Sequence, residues 1–291
     1  MITTPFSFVA TAHSLVWNGI TPVFVDIDRD TFNLDPARIE AAITRQTTAI
    51  MPVHCYGYPC DVDAIQKVAD NYNLKTIYDA AHAFGVRHKG ACIFNHGDLS
   101  VLSFHATKVL STFEGGAIVC HDAKTKLRID RLKNFGYVDE VTVVASGING
   151  KMSEFSAALG LLQLKHFDEA LAARKEIDAQ YRALLADVKG IRCPPRRRDT
   201  VHNHAYFPVL VEGGFRMDRE ALYQMLRDNG IVARRYFYPL ISEFSMYRES
   251  PSARRGNLPV ATDVASRVLC LPIYPGLERA DVESVASLIA G

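Results

Sequence analysis

Leu74-Lys-Thr-Ile-Tyr-Asp-Ala-Ala-His82 and Leu99-Ser-Val-Leu-Ser-Phe-His-Ala-Thr-Lys108 are the stretches that decide the fold. Each opens as a short strand-like run, 74–78 and 99–104, and ends in chemically active residues. The surrounding chain repeats the pattern. Pro22-Val-Phe-Val-Asp26 and Thr48-Ala-Ile-Met-Pro-Val-His54 read as earlier buried strands, and Ala117-Ile-Val-Cys120, after the break at Gly115-Gly116, as a later one. Between them lie helical signals. Asp35-Pro36 reads as an N-cap followed by proline at the first helical position, predicting a short helix over 37–43. Asp61 caps a helix with Ile65, Val68 and Ala69 on one face, and 123–134 is helical. Strands alternating with helices predict an α/β fold with a mostly parallel sheet covered on both faces.

From Ser153 to about Leu185 the pattern is helical almost without interruption, with Phe155, Leu159, Leu162 and Phe167 recurring. That length suffices to link two domains. After Gly190 the reading is strand 206–211, helix 219–228, strand 232–237 and helix 280–289, too few for a second large sheet. The expected division is therefore a large domain over 1–165, then a linking helix and a smaller C-terminal domain over 166–291. Pro194-Pro-Arg-Arg-Arg198 is the one charge run and reads as a solvated loop.

Composition narrows the function classes. Among 291 residues, 33 Lys plus Arg against 32 Asp plus Glu give a net charge of +1, which offers no field to attract nucleic acid or an anionic membrane. With 48% hydrophobic and 22% charged residues, the chain is neither disordered nor fibrous. No apolar run approaches the roughly 20 residues that span a bilayer, and the first residues lack the basic region of a signal peptide, so a cytoplasmic protein is expected. The six cysteines have no metal-ligand spacing and read as buried reduced thiols.

In an open α/β sheet, ligands bind beyond the carboxyl ends of the strands. Two chemical features stand there. Asp79 ends one strand and precedes two alanines, which let a flat group approach the backbone; Asp79 capping the following turn explains it equally well. Lys108 follows the next strand, and beyond a strand it is either a surface lysine or a desolvated amine able to join a carbonyl cofactor. An acid and a lysine at neighbouring strand ends is the pairing that pyridoxal phosphate requires, with Ser103 adding a hydroxyl for its phosphate. His54 also ends a strand, where a satisfied buried histidine accounts for it as well as a catalytic one does. No GxGxxG follows an early strand, which argues against a dinucleotide-binding oxidoreductase.

Taken in order, Thr4-Pro-Phe-Ser-Phe-Val-Ala-Thr11, Pro52-Val-His54, Asp79-Ala-Ala-His82, Ser103-Phe-His-Ala-Thr-Lys108, Glu114-Gly-Gly116 and Gly147-Ile-Asn-Gly-Lys-Met-Ser-Glu154 resemble the DegT–StrS sugar aminotransferases. The resemblance covers nearly the whole chain. It implies a fold-type-I pyridoxal phosphate enzyme acting on nucleotide-linked keto sugars. Phe104-His-Ala-Thr-Lys108 and Tyr236-Phe-Tyr-Pro239 make it most similar to the 4-aminotransferases of the viosamine and perosamine type, which serve lipopolysaccharide and other surface glycans.

Residue roles follow from that resemblance. Lys108 holds the cofactor aldehyde and moves the proton. Asp79 pairs with the pyridinium, His82 stands near the ring oxygen, Ser103 binds the phosphate and Phe8 stacks on the ring. Asn149 reaches the phosphate of a neighbouring subunit, implying a homodimer with shared active sites. Family members that deoxygenate the sugar carry histidine where this chain has Lys108, so transamination, with glutamate as donor, is the implied class. Family members also carry several dozen residues before the segment matching Ile2-Thr-Thr-Pro5. The resemblance therefore implies that an N-terminal part of the large domain, with one anion-binding helix end, is missing, and that this chain binds cofactor more weakly than a longer form. Two alternatives stand beside this reading: a truncated, non-catalytic protein of the same fold, and an enzyme specific for amino acids whose α-carboxylate is met by Arg234 or Arg235.

Overall fold

The computed structural model describes all 291 residues. The strands of the first half are β1 (Ile2–Thr3), β2 (Val23–Phe24), β3 (Ala49–Met51), β4 (Lys75–Asp79), β5 (Arg87–His88), β6 (Ala91–Cys92), β7 (Leu99–Ser103) and β8 (Gly116–Cys120). Of these, β2, β3, β4, β7 and β8 fall on the five predicted runs, β2 and β3 shorter than theirs and β8 one residue longer. Six of them make one sheet in the order β2-β1-β3-β4-β7-β8. Pairing is parallel from β2 to β7, and β8 closes the edge antiparallel to β7 with Ser103 opposite Gly116. The mostly parallel mixed sheet is thus as expected. The small hairpin β5–β6, with no strong apolar signal, is an addition.

Helices α1 (Ala10–Trp17), α2 (Val62–Asn71) and α3 (Ala123–Leu132) follow strands of this sheet. Asp61 caps α2 through the Ala64 amide at 3.1 Å, as its sequence position predicts. The expected helix over 37–43 is instead two single 3₁₀ turns, Pro36–Arg38 and Glu40–Ala42, closed by i to i+3 bonds such as Ile39 N–H to the Pro36 carbonyl at 3.2 Å. Only Ile39 of this stretch is well buried, which leaves little packing to extend a helix.

The long helical segment breaks once, at His166, into α4 (Glu154–Lys165) and α5 (Phe167–Leu185). Phe167 packs edge-on against Phe84, with ring centroids 5.1 Å apart, so the kink seats an aromatic on the loop after β4. Beyond it, β9 (Ile191–Arg192), β10 (Thr200–Val201), β11 (Phe207–Val211), α6 (Arg219–Asp228), α7 (Pro259–Arg267), β12 (Val268–Leu271) and α8 (Arg279–Ala290) complete the chain. An antiparallel sheet, β12-β11-β9, packs with α5, α6 and α8 around Tyr181, Phe207, Leu222 and Ile289. The predicted strand over 232–237 is absent. Only Arg234 pairs, with Cys270 on the free side of β12, and the chain then turns so that Phe237 enters the core. β10 crosses over to pair with β5 and ties the two halves together.

A further core lies between the halves. Phe6, Phe24, Ile27, Phe32 and Tyr56 pack there against Phe237, Leu258, Val264, Val268 and Cys270. All six cysteines are free; Cys55, Cys60 and Cys270 are buried, but Cys92, Cys120 and Cys193 are only half-buried. No helix is long and apolar enough to cross a membrane.

Candidate functional site

The carboxyl ends of β1, β4 and β7 open onto one cavity of about 340 Å³. Ser7, Phe8 and Thr11 reach it from the β1–α1 segment, Asp79 and His82 from the end of β4, and Ser103, His105, Thr107 and Lys108 from the β7–β8 connection. Tyr206, Tyr236 and Phe237 close it from the C-terminal half. Five of the six site residues expected from sequence, Phe8, Asp79, His82, Ser103 and Lys108, therefore meet in one hollow. Asn149 does not. It is exposed and bridges to Asn134, outside the cavity of its own chain.

Lys108 sits in the β7–β8 hairpin connection, where its N–H donates to the His105 carbonyl at 2.9 Å. Burial lowers its amine below the 10.5 of a free lysine, and the only opposing influence is the Asp79 charge. A larger share of unprotonated amine at neutral pH is what a nucleophile or a base needs. Asp79 keeps both carboxylate oxygens occupied. Oδ2 accepts from the Thr11 hydroxyl at 2.7 Å and Oδ1 from the Ala81 N–H at 3.1 Å. Asp79 thus caps the following turn and lines the cavity at the same time.

His82 is buried, and its Nδ1 accepts the Tyr56 backbone N–H at 3.2 Å. That bond requires an unprotonated Nδ1, so the neutral ring carries its proton on Nε2. Burial, reinforced by the positive charge of Lys108, drives its pKa well below 6.5. The ring stacks on Phe237 with planes 5° apart and meets Tyr206 edge-on, which leaves little rotational freedom. Asn203 braces the same loop from the C-terminal half, its amide donating to the His82 carbonyl at 2.7 Å and the Phe84 carbonyl at 2.9 Å. Gly57 permits this contact. Its φ is +82°, and a Cβ there would lie 2.5 Å from Asn203 Oδ1.

His54 belongs elsewhere. Its ring stacks on Tyr78 at 4.7 Å, Nδ1 accepts the Cys60 N–H at 3.1 Å, and burial lowers its pKa to about 3. It is a neutral packing histidine. Arg234 and Arg235 also miss the cavity: Arg235 is bound to Glu220 at 2.6 Å and lies over the Tyr223 ring, and the Arg234 side chain is exposed.

Sequence reasoning missed Ser7, Thr11, Tyr206 and Asn203, and read Phe237 as the end of a strand. Thr11 stood within a quoted motif, but nothing local pairs it with Asp79, 68 residues on. No sequence signal was available for Asn203, since its partners arrive from 119 and 121 residues away.

Comparison with known proteins agrees with this geometry. Residues 1–290 match the DegT/DnrJ/EryC1/StrS aminotransferase family. The chain is 54% identical over 294 residues to the dTDP-4-amino-4,6-dideoxy-D-glucose transaminase of Escherichia coli, covering 100% of this chain and 79% of that relative. It is 35% identical over 295 residues to the GDP-perosamine synthase of Caulobacter vibrioides, covering 99% and 78%. Among solved structures it resembles DesI, determined in the presence of its TDP-sugar product, with a TM-score of 0.94 at 40% identity, over 99% of this chain and 73% of that one. The chain belongs to the DegT/DnrJ/EryC1/StrS aminotransferase family.

Proposed function

We propose that this chain is a pyridoxal phosphate-dependent transaminase that moves an amino group from glutamate to the keto carbon of a nucleotide-linked 4-keto-6-deoxysugar, in the cytoplasm, for surface polysaccharide or a related glycan. The observation that carries the reading is the meeting of a partly desolvated lysine and a doubly hydrogen-bonded carboxylate in one aromatic-walled cavity. The donor set suits the cofactor: an amine without hydrogen bond or ion pair for its aldehyde, a carboxylate for its ring nitrogen, a histidine donor for its ring oxygen and the Ser103 hydroxyl for its phosphate. The half-exposed Phe8 ring, at the cavity rim, suits the face of a flat heterocycle.

Bound there, pyridoxal phosphate supplies an aldehyde that carries the amino group and a ring that accepts electrons. The remaining work falls to the protein. Lys108 holds the cofactor, then serves as the base that takes a proton from the donor carbon and delivers one to the sugar carbon, so its side of approach sets the stereochemistry of the new amino group. Asp79 orients the heterocycle, and His82 donates from Nε2. Tyr206, Tyr236 and Phe237 exclude water from the reacting carbon. Asn149 of a second copy completes the phosphate site in a homodimer. We further divide the chain into a cofactor-binding domain over 1–165 and a linking helix with a smaller domain over 166–291, the kink at His166 falling at that boundary. The sugar class is supported by the 4-amino-sugar relatives.

The test is to incubate the protein with pyridoxal phosphate, glutamate and a panel of nucleotide-linked keto-deoxysugars, and to identify products by mass and NMR. An amino sugar formed by amination at C4 is expected. Transamination of amino acids alone, with no sugar turned over, would overturn the proposal.

A further inference from the structure

Asp79 is held by a chain of hydroxyls that begins in another element. Thr11, in the first turn of α1, donates from Oγ1 to Asp79 Oδ2 at 2.7 Å, and the same Thr11 oxygen lies 2.9 Å from Ser7 Oγ. Ser7 and Thr11 are both buried, at 4% and 3% exposure, so bulk water does not compete for these bonds. The direction of the chain follows from valence. A hydroxyl has one proton, and an ionised carboxylate only accepts. Thr11 gives its proton to Asp79, so it can only accept from Ser7, and Ser7 is the donor of the first link. The Ala81 N–H fixes the other carboxylate oxygen at 3.1 Å. Each oxygen retains one further acceptor site for a ligand in the cavity that Asp79 lines.

We propose that Ser7 and Thr11 form a one-way hydroxyl chain that sets the rotation of the Asp79 carboxylate toward the cofactor ring, which makes Thr11 a positioning residue. The inference rests on the proposed function, because it concerns the acid that faces the ring nitrogen. Without the Thr11 hydroxyl, Oδ2 loses its protein donor and only the Ala81 N–H restrains the carboxylate, so its rotation toward the ring nitrogen is no longer fixed. The chain also couples α1, which carries no side-chain N-cap of its own, to the end of β4.

The test uses the full chain and pyridoxal phosphate, with Thr11→Val, Thr11→Ser and Ser7→Ala. Two readings besides activity are taken: the cofactor dissociation constant, and the pH midpoint of the visible absorbance that the cofactor acquires on joining a lysine. Loss of one hydrogen bond to a charged group is expected to weaken cofactor binding in Thr11→Val about 10-fold and to displace the pH midpoint. Thr11→Ser, which keeps the hydroxyl, should restore both to within about 2-fold of the parent affinity and the parent midpoint. Ser7→Ala, one link further out, should weaken binding by about 3-fold, and it serves as the deciding variant if Thr11→Val does not fold. Parent-like affinity and midpoint in Thr11→Val, or a Thr11→Ser variant as impaired as Thr11→Val, would overturn the inference. Absence of any visible band in the parent would instead overturn the proposed function.

Discussion

Asp26 is 1% exposed and makes no ion pair, yet it lies at the amino end of a helix more than 230 residues away. Its Oδ2 accepts from the Val260 N–H at 2.9 Å and its Oδ1 from the Ala261 N–H at 2.8 Å. These are first-turn amides of α7, which have no partner inside the helix, and Leu258 at the N-cap offers no side-chain acceptor. Replacement by alanine therefore leaves one buried and one part-buried donor unpaired and removes a negative charge from the positive end of a helix. Each hydrogen bond to a charged acceptor is worth about 1.5–3 kcal/mol, and the desolvation of the carboxylate offsets part of that sum. We expect a net loss of about 3 kcal/mol for Asp26→Ala, or roughly 6 °C in the thermal midpoint of a chain this size. Asp26→Asn keeps one acceptor and should lose about half as much. Asp218 supplies the yardstick: it caps α6 through the Ala221 N–H at 2.8 Å but is exposed, so Asp218→Ala should cost only about 1 kcal/mol. Scanning calorimetry of the cofactor-free protein makes the comparison. If Asp26→Ala melts within 1 °C of the parent, or no lower than Asp218→Ala, the claim that burial amplifies this cap is wrong.

Other consequences concern the site and its supports. Lys108→Ala should abolish the visible absorbance with pyridoxal phosphate and lower amino transfer by at least about 10³-fold; a coloured, active variant would remove Lys108 from its role. Because burial lowers the Lys108 amine, an acylating reagent should label it in the cofactor-free protein at a pH where exposed lysines still resist, as peptide mapping would show. His202 is buried with neither ring nitrogen hydrogen-bonded, and burial beside Arg196 and His204 lowers its pKa from 6.5 to about 4. Below pH 6.5 the unfolded chain takes up a proton that the folded one refuses, so the parent should lose stability as pH falls towards 4. Because the buried His54 and His82 resist protonation over the same window, His202→Leu should lose less stability than the parent rather than none, and melting curves parallel to the parent's would contradict the assignment. Gly57→Ala should cost about 2–4 kcal/mol through strain and a clash with Asn203, and should weaken cofactor binding by loosening the His82 loop. Unchanged cofactor affinity in a folded Gly57→Ala variant would separate that loop from the site.

Where the sequence spoke clearly, it spoke through local chemistry. Asp61 announces a helix because its carboxylate can accept the amide three residues on wherever the rest of the chain goes. Asp79 and Lys108 were visible because a buried strand that ends abruptly in charge brings that charge to the carboxyl edge of a parallel sheet. Elements whose shape depends on distant neighbours were read less well. The run 232–237 has strand composition, but it meets a partner only at Cys270, and its aromatic end is drawn into a core shared with Phe6 and Tyr56. The turns at 36–42 carry a good N-cap and proline, but they lack the buried face that would extend them into a helix.

The amino-acid order alone determined the strand–helix alternation, the family resemblance and the lysine–acid pair, since all three are written in short-range spacing. Only the folded chain decided which groups hold those two residues in use. Thr11 meets Asp79, Asn203 meets the His82 loop, Asp26 meets α7, and three aromatics from the second half close the cavity. Each of these contacts joins segments between 68 and 235 residues apart. A hydrogen bond of that kind leaves no trace in local periodicity, because its partners become neighbours only after the sheet and the core have formed.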